Sequence, residues 1–240
     1  MKPRALVGLL VVALAIAGVV VGVYLVWSGY RTMKLKGTTD EERLKGSIRG
    51  ALDSWAGYSV LQSADLARRL RAAGYRLDWT DDGGDYAARC KGLNDGTYDV
   101  IATTVDAYVK SGHAHGYPGS IIAIVDESKG DAIVGKDTIK DINGLEAPEV
   151  RIAYTPASPS EFLLKTVASH FGVAKLRTKG PWRVETTGSD QALKLLLDGK
   201  VEAAVLWEPD VSTAKSTPGF HYLMGSDKTR RLIVDILVAR

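Results

Sequence analysis

Residues 203–210 read Ala-Ala-Val-Leu-Trp-Glu-Pro-Asp. The first four are apolar and fit a buried strand, which runs directly into a turn formed by Trp207, Glu208 and Pro209. Open α/β sheets bind ligands at the carboxyl ends of their strands, so the turn stands where a ligand would lie. A comparable turn follows an earlier strand at residues 105–108. Two such turns in one chain predict two lobes around a cleft.

The composition is that of a globular protein. Of the 240 residues, 45% are hydrophobic and 25% are charged, which does not fit a disordered chain. Five of the 31 basic residues fall within positions 2–36, where there is no acidic residue, so 26 basic residues face 28 acidic ones afterwards. The rest of the chain therefore carries a net charge of −2 and lacks the basic surface that nucleic-acid binding needs. We expect no nucleic-acid partner.

Residues 5–27 form an uncharged apolar run with basic residues on both sides. At about 1.5 Å per residue, a helix of that length crosses a bilayer. Cleavage as a signal peptide is the alternative, but the Ala-x-Ala sites at 13–17 lie inside the apolar run. We therefore predict an uncleaved transmembrane signal anchor over 1–36 and a tether over 37–46. The flanking charges do not set the orientation of this anchor.

From residue 47 onward, strand and helix patterns alternate. The predicted strands are 47–52, 75–79, 98–102, 120–125, 150–154, 182–186, 202–206 and 232–238. The predicted helices are 59–70, 85–93, one that leads from Ser158 or Ser160 to Phe171, and 189–197. Two consecutive βαβαβ series predict an α/β protein with two lobes. We place lobe 1 at 47–146 and lobe 2 at 147–230.

Six motifs follow one another along residues 47–240. They are Trp55-Ala56-Gly57-Tyr58, Gly96 to Val100 with Thr103 to Ala107, Asp126 to Ile133, Ile142-Asn143-Gly144, Ser158 to Leu164, and Gly199 to Pro209. Together they resemble the nitrate/taurine/aliphatic-sulfonate group of ABC-transporter solute-binding proteins. The resemblance implies a type II periplasmic-binding-protein fold, in which two lobes close on a small solute around a hinge.

The resemblance also implies that residues 231–240 form a strand that crosses back to lobe 1. In the family, further helices follow that strand, and here they are missing. We therefore expect either a fragment of a longer protein or a minimal version with an exposed seam.

The candidate ligand-binding residues of lobe 1 follow two strands. Trp55 and Tyr58 lie in the first strand-to-helix turn, where aromatic faces and free backbone N–H groups hold an anion or a planar solute. Core packing is the alternative for both. Thr103, Thr104 and Asp106 follow the third strand at its carboxyl end, although Asp106 fits a helix cap equally well.

Three serines extend the predicted site. Ser128 lies in the Asp-Glu-Ser-Lys-Gly loop, where the resemblance implies a ligand contact; a hydrogen bond within the loop is the alternative. Ser158 and Ser160 begin a helix of lobe 2 whose N–H groups suit an anionic head group. Helix capping by these two serines is compatible with such a contact.

Trp207 and Glu208 complete the predicted site, and their alternative role is a packed aromatic ring beside a solvated acid. A carboxylate at position 208 disfavours an anion and suits a solute with N–H donors, such as urea, an amidine or a pyrimidine. Alternatively, Glu208 pairs with a basic group across the lobes, such as Lys129.

No catalytic motif accompanies these residues in the sequence. His113 and His115 form a pair without a third metal ligand at useful spacing. The acidic run 81–85 lacks the glutamate of a calcium loop and predicts a turn followed by a helix cap. Cys90 fits a small buried hydrophobe. We expect no enzyme activity, no metal and no cofactor.

The sequence therefore predicts a single-pass membrane protein with its globular domain in the periplasm or outside the cell. We expect this domain to capture a small polar solute or anion, of the sulfonate, nitrate, taurine or urea-like class, for an ABC permease. Two alternatives stay open. One is an enzyme on the same fold, similar to the pyrimidine-synthesis branch, and the other is a ligand-sensing or interaction module of a larger envelope protein.

Overall fold

The computed structural model describes residues 44–240. The predicted anchor over 1–36 and most of the tether over 37–46 lie outside these residues. None of the helices within 44–240 has the length and apolar character needed to cross a membrane.

Strands and helices alternate along the described residues. The strands are β1 (Gly46–Leu52), β2 (Tyr75–Asp81), β3 (Val100–Thr104), β4 (Ser120–Ser128), β5 (Asp131–Lys136), β6 (Ile152–Tyr154), β7 (Arg183–Glu185), β8 (Ala203–Trp207), β9 (Phe220–Gly225) and β10 (Ile233–Ala239). The α-helices are α1 (Ala64–Ala73), α2 (Tyr86–Asp95), α3 (Val105–Gly112), α4 (Pro159–His170), α5 (Ser189–Leu197) and α6 (Asp210–Ser216). Short 3-10 helices lie at Ala56–Val60, His113–His115, Ile142–Glu146, Ala174–Arg177 and Ser226–Lys228.

The strands form two mixed sheets of five strands each. The first sheet has the order β2-β1-β3-β10-β4 and the second the order β7-β6-β8-β5-β9. In the first, β10 lies antiparallel between β3 and β4, and in the second, β5 lies antiparallel between β8 and β9. Each sheet therefore combines parallel strands with one antiparallel strand inserted beside them, so the two halves repeat one plan.

The chain passes between the sheets twice. Strand β4 ends at Ser128 and β5 begins at Asp131, so Lys129 and Gly130 alone link the two sheets there. The second passage runs from the end of β9 to Ile233 at the start of β10. We call residues 44–128 with 233–240 the first lobe and residues 131–225 the second lobe.

The first passage comes earlier than the predicted boundary between 146 and 147. Strand β5 pairs with β8 and β9, so residues 131–136 belong to the second sheet. The apolar patterns of β4 and β5 follow each other almost without interruption, and periodicity does not show which distant strand each will pair with. Strand β10 returns the chain to the first sheet, where it pairs with β3.

Helix boundaries follow their caps. The Ser63 hydroxyl accepts a hydrogen bond from the Leu66 N–H at 3.3 Å, so α1 begins after the 3-10 turn and not at the predicted residue 59. Asp85 accepts from the Ala88 N–H at 2.9 Å and starts α2 close to the predicted position. The apolar periodicity extends into the 3-10 turn, so the helix was predicted to begin too early. The Ser63 cap marks where α1 begins.

The acidic run at 81–85 forms a turn and a cap, as predicted. The Asp81 and Asp82 carboxylates accept from the backbone N–H groups of Gly83 and Gly84, at 2.9 and 3.0 Å, and Asp85 caps α2. All three carboxylates thus accept hydrogen bonds from the local backbone.

Each sheet is covered on both faces. Neighbouring residues of β1, Ala51 and Leu52, belong to clusters on opposite faces of the first sheet, and both are fully buried. Cys90 packs in the first of these clusters, and burial raises the pKa of its thiol to about 11. The prediction of a small buried hydrophobe is confirmed. At the edge of the same sheet, β4 exposes three isoleucines: Ile121, Ile122 and Ile124.

Candidate functional site

The two lobes meet at a small cavity near the first passage. Its volume is about 10 Å³, which is room for a single water-sized group. The first lobe contributes Asp53, Trp55, Tyr86, Thr104, Ile233 and Asp235 to the wall. Ser128 lines it at the passage, and the second lobe contributes Asp131, Pro159 and Trp207. The wall is thus built from strand ends and helix N-termini of both lobes.

Three carboxyl groups line this cavity, and all are almost completely buried: Asp53, Asp131 and Asp235 are 1%, 4% and 2% exposed. The Ser128 hydroxyl donates to Asp131 Oδ2. Among residues 44–240, Asp235 Oδ2 has no hydrogen-bond partner. Buried polar atoms rarely lack a partner, so Asp235 presents a free acceptor to the cavity.

Burial raises the pKa of Asp131 to about 7 and that of Asp235 to about 8. The charges of Asp53 and Asp126 raise both further, whereas the hydrogen bond from Ser128 works against the shift at Asp131. Near neutral pH, Asp235 is therefore mostly protonated and Asp131 about half protonated.

The Tyr58 hydroxyl also bears on Asp235. Its proximity lowers the Asp235 pKa and is the largest effect on that pKa after burial. Even so, neither Tyr58 Oη nor Asp235 Oδ2 forms a hydrogen bond of ordinary geometry within the described residues. The Asp235 carboxyl thus keeps its free acceptor.

Asp53 is neutralised by a buried arginine. Arg89 has no exposed surface; it donates to Asp53 Oδ2 at 3.1 Å, to Asp82 Oδ2 at 2.7 Å and to the Ala102 carbonyl at 2.5 Å. Its guanidinium carbon lies 4.7 Å from the centre of the Tyr86 ring. Burial lowers the Arg89 pKa, but Asp82 and Asp53 outweigh burial and raise it overall. Arg89 is thus committed to two aspartates.

Four of the predicted site residues line the cavity: Trp55, Thr104, Ser128 and Trp207. The Thr104 hydroxyl and the Trp55 indole N–H are buried and have no hydrogen-bond partner within the described residues. Ligand binding by these four residues stays a prediction, and their position at the wall supports it.

Two indole rings lie close to glycines near the cavity. A methyl group added at Gly130 would come within 2.5 Å of Trp55 Cη2, so the ring covers the first passage directly. A methyl group at Gly84 of the first lobe would lie 3.6 Å from Trp207 Cη2 of the second lobe. Only at Gly130 does the absence of a side chain allow the ring to approach, because 3.6 Å at Gly84 is an ordinary van der Waals distance.

Three predicted residues of the first lobe lie outside the cavity wall. Tyr58 is 1% exposed and packs in the core with Leu52, which was its alternative role. Thr103 precedes Thr104 in β3, so its side chain faces the other side of the sheet. Asp106 lies in the first turn of α3, where burial raises its pKa and one carboxylate oxygen has no partner within the described residues.

Three predicted residues of the second lobe also lie outside the wall. The Ser158 hydroxyl accepts from the Ser160 N–H at 3.1 Å and caps α4, as its alternative role predicted. The Ser160 hydroxyl is fully buried without a partner in the described chain. The Glu208 carboxylate accepts from the Ser212 N–H at 3.0 Å and the Ser212 hydroxyl at 2.9 Å. Glu208 therefore serves helix α6 and does not supply the acidic character of the cavity.

The sequence reasoning missed six wall residues: Asp53, Tyr86, Asp131, Pro159, Ile233 and Asp235. A signal existed for two of them. Asp53 directly follows the first strand, at its carboxyl end, and Asp235 is the one charged residue in the apolar strand Ile233–Ala239. Burying a lone acid in an apolar strand costs free energy unless a partner or a ligand compensates for it. Asp235 could therefore have been recognised as a candidate site residue.

One ion pair joins α3 of the first lobe to α4 of the second. The Lys110 ammonium contacts the Glu161 carboxylate, which also accepts from Lys165 Nζ at 2.8 Å and from the Ala157 N–H at 2.7 Å. Burial raises the Glu161 pKa, but Lys110 and Lys165 outweigh it, and the pKa falls to about 2. Glu161 is therefore ionised at any physiological pH and holds the lobes together.

The described part of the chain contains no cluster of side chains suited to bind a metal ion. Within residues 44–240, no group of three or more His, Cys, Asp or Glu side chains is arranged to hold a metal ion.

The similarity of this chain to known proteins is a similarity of structure. No family model matches the chain, and neither does any curated protein. The alkanesulfonate-binding protein SsuA from Xanthomonas axonopodis pv. citri, bound to MOPS, matches 82% of this chain with a TM-score of 0.64 and 16% identity. The periplasmic aliphatic sulphonate-binding protein SsuA from Escherichia coli matches 81% with a TM-score of 0.61 and 18% identity.

The chain spans less than two thirds of these two proteins, 66% and 65% of their lengths. An ancestral arginine-binding protein bound to arginine is also similar. It matches 82% of this chain and 85% of its own length, with a TM-score of 0.57 and 18% identity. At these identities the likeness establishes the fold. The described part of the chain has the type II periplasmic-binding-protein fold, and its neighbours are solute-binding proteins of the kind that the sequence resemblance predicted.

Proposed function

We propose that this chain is an extracytoplasmic solute-binding protein that holds a small polar solute between its two lobes. One observation carries the proposal: the buried cavity is walled by both lobes, at the point where the chain passes from one sheet to the other. A solute that contacts both walls favours the closed arrangement, because an open arrangement offers it only one of them.

The connections between the lobes suit a hinge. Lys129 and Gly130 form the first passage, and residues 226–232 form the second. Domain closure usually concentrates its backbone rotation in a few such linking residues. The Lys110–Glu161 ion pair then forms when the lobes come together. Charge attraction across the cleft thus adds to the closing effect of the solute.

The cavity volume bears on how a solute enters. A space of about 10 Å³ admits a water-sized group, so an organic solute reaches the wall only when the lobes separate. Closing around the solute then removes water from its polar groups and strengthens their interactions with the wall.

The finer parts of the proposal follow from the neighbours and from the N-terminal sequence. Neighbours with this fold are periplasmic binding proteins, which supports an extracytoplasmic domain that hands its solute to an ABC permease. The apolar run at 5–27 would tether the domain to the membrane. The neighbours bind MOPS in one case and arginine in another, so the fold does not fix the charge of the solute.

Thermal unfolding of the full chain in mild detergent tests the proposal. The panel contains anions (methanesulfonate, nitrate and methylphosphonate), the zwitterion taurine, neutral urea, and ammonium cations. A solute at about 100 times its dissociation constant adds about 2.7 kcal/mol to the free energy of unfolding. If no solute of any charge raises the melting temperature, the proposal fails.

A matched pair of aromatic variants locates the site. Trp207→Ala removes a buried ring from the cavity wall, and Phe171→Ala removes a ring that is 38% exposed and lies outside the cavity wall. We expect Trp207→Ala to abolish the shift and Phe171→Ala to preserve it. Equal behaviour of the two variants would contradict the placement of the solute.

A further inference from the structure

The cavity wall is acidic and lacks a free cation. Within the described residues, the wall carries three carboxyl groups and no lysine, arginine or histidine. The nearest buried cation, Arg89, is held by Asp53 and Asp82. An anion placed there would find no free cation in the wall to pair with, which is unfavourable in a buried site.

Two polar side chains in the wall independently point to a hydrogen-bond donor. Thr104 and Asp235 are direct cross-strand partners in β3 and β10, and each is 2% exposed. Neither Thr104 Oγ1 nor Asp235 Oδ2 has a hydrogen-bond partner of ordinary geometry within residues 44–240, although Asp106 lies near Thr104 and Tyr58 near Asp235, and both residues line the cavity. Buried groups of this kind are nearly always satisfied, so this pair is suited to accept bonds from a ligand.

We propose that this cavity binds a primary ammonium group, either as NH4⁺ or as the –NH3⁺ head of an organic amine. The inference rests on the proposed solute-binding function and names the charge and chemistry of the solute. A primary ammonium group is compact, carries one positive charge and has at least three N–H donors. These properties match a water-sized space lined by the carboxyl groups of Asp131 and Asp235.

The aromatic part of the wall agrees with a cation. Trp55, Tyr86 and Trp207 line the same space, and aromatic faces attract ammonium groups. A metal ion fits less well, because no group of three or more potential ligands within the described residues converges on one point. A quaternary ammonium group has no N–H donor for the free acceptors at Thr104 and Asp235.

Binding of a cation is coupled to protons. The groups that face Asp131 and Asp235 are mainly acidic: Asp53, Asp106 and Asp126, the phenols of Tyr58 and Tyr86, and the committed Arg89. In this surrounding Asp131 and Asp235 hold protons near neutral pH, and an ammonium group would replace them. Affinity therefore rises as pH increases from about 6 to about 8, and binding releases protons.

Isothermal titration of the full chain tests the inference, with ammonium chloride and methylammonium chloride as probes. Tetramethylammonium chloride and sodium methanesulfonate serve as comparisons, all at one ionic strength. We expect binding of ammonium or methylammonium, with proton release seen as a dependence of the heat on the buffer. Binding of ammonium alone identifies the free ion, whereas methylammonium binding of equal or greater strength identifies an amine head group.

Variants tie the binding to this cavity. We expect Asp235→Asn to weaken ammonium or methylammonium binding about tenfold to a hundredfold, since it removes a charged acceptor. Thr104→Val is the second variant, with a smaller loss in the same direction. Asp198→Asn, which changes an exposed carboxylate paired with Lys194, should leave the affinity unchanged.

The outcomes separate the inference from the proposed function. If methanesulfonate binds in the titration, or urea in the thermal-unfolding panel, and neither ammonium probe binds, the inference is wrong and the solute-binding function stands. If no solute of the titration or of the thermal-unfolding panel binds, both are wrong. Unchanged affinity in both Asp235→Asn and Thr104→Val would also overturn the inference, because the cation would then lie elsewhere.

Discussion

Asp131 and Asp235 belong to different sheets and line the same cavity. Asp131 is the first residue of the second sheet after the chain leaves the first, and Asp235 lies in the strand that returns. Burial raises the pKa of both carboxyl groups, and the charge of Asp131 raises the pKa of Asp235 further. Movement of one lobe against the other therefore changes the spacing of two coupled acids.

Stability should fall as pH rises because of this pair. The folded-state pKa of Asp235, about 8, lies above its ordinary value of 3.8, so the folded protein keeps a proton that the unfolded chain releases. This contribution is fully present below about pH 4 and is lost as pH rises through about 8. Asp235→Asn should be more stable than wild type at about pH 8, by up to about 5 kcal/mol, and nearly equal at about pH 4. Urea unfolding at both pH values measures the difference, and an unchanged pH dependence would contradict the account.

The Glu161 ion pair should affect stability in the acidic pH range, in the opposite direction to Asp235. Its folded-state pKa, about 2, lies below the ordinary 4.5, so its contribution is present above about pH 4.5 and is lost as pH falls towards 2. Glu161→Gln should lower stability at neutral pH by roughly 1 kcal/mol, a modest value because Lys110 is half exposed. It should also increase the radius of gyration measured by X-ray scattering. Glu149→Gln, at an exposed acid, is the control and should change neither quantity.

Arg89 should be among the most sensitive positions in the first lobe. Arg89→Met leaves Asp53 and Asp82 without their shared cation, and breaking a buried pair on one side costs roughly 3–5 kcal/mol. Arg69→Met, which breaks an exposed pair with Asp65, should cost under about 0.5 kcal/mol. Similar midpoints of urea unfolding for the two variants would show that the buried network contributes little.

Gly130→Ala should disturb the first passage through Trp55. The new methyl group would come within 2.5 Å of Trp55 Cη2, so the indole must move. We expect a loss of stability of roughly 1–3 kcal/mol, together with a changed tryptophan fluorescence spectrum. In the double variant Gly130→Ala/Trp55→Ala the glycine substitution should cost much less. Additive losses would mean that the two residues are not in contact.

Much of the architecture was predictable because it depends on local signals. Asp85 and Gly96 mark the ends of α2, and the apolar pattern of residues 203–206 identifies β8. The sheet to which β5 belongs was not predictable, since its partners lie about 70 to 90 residues further along the chain.

The candidate site was predicted in part for the same reason. Trp55, Thr104 and Trp207 follow strands at their carboxyl ends, and this position alone brings them to the cavity. Glu208 follows the same rule, yet a local hydrogen bond to Ser212 takes its side chain away. Asp131 lies at the cavity only because β5 pairs with β8 and β9. The sequence pattern therefore did not indicate it as a site residue.

The central claim, closure of two lobes on a solute, is tested most directly by pulsed electron paramagnetic resonance on the full chain. Cysteines at Arg68 of the first lobe and Asp198 of the second would carry the spin labels, since both residues are exposed. Cys90 is fully buried and its thiol pKa is raised to about 11, so it should stay unlabelled. The account predicts that the solute with the largest thermal shift moves the distances between the labels to shorter values and makes their distribution narrower. An unchanged distribution with that solute bound would contradict it.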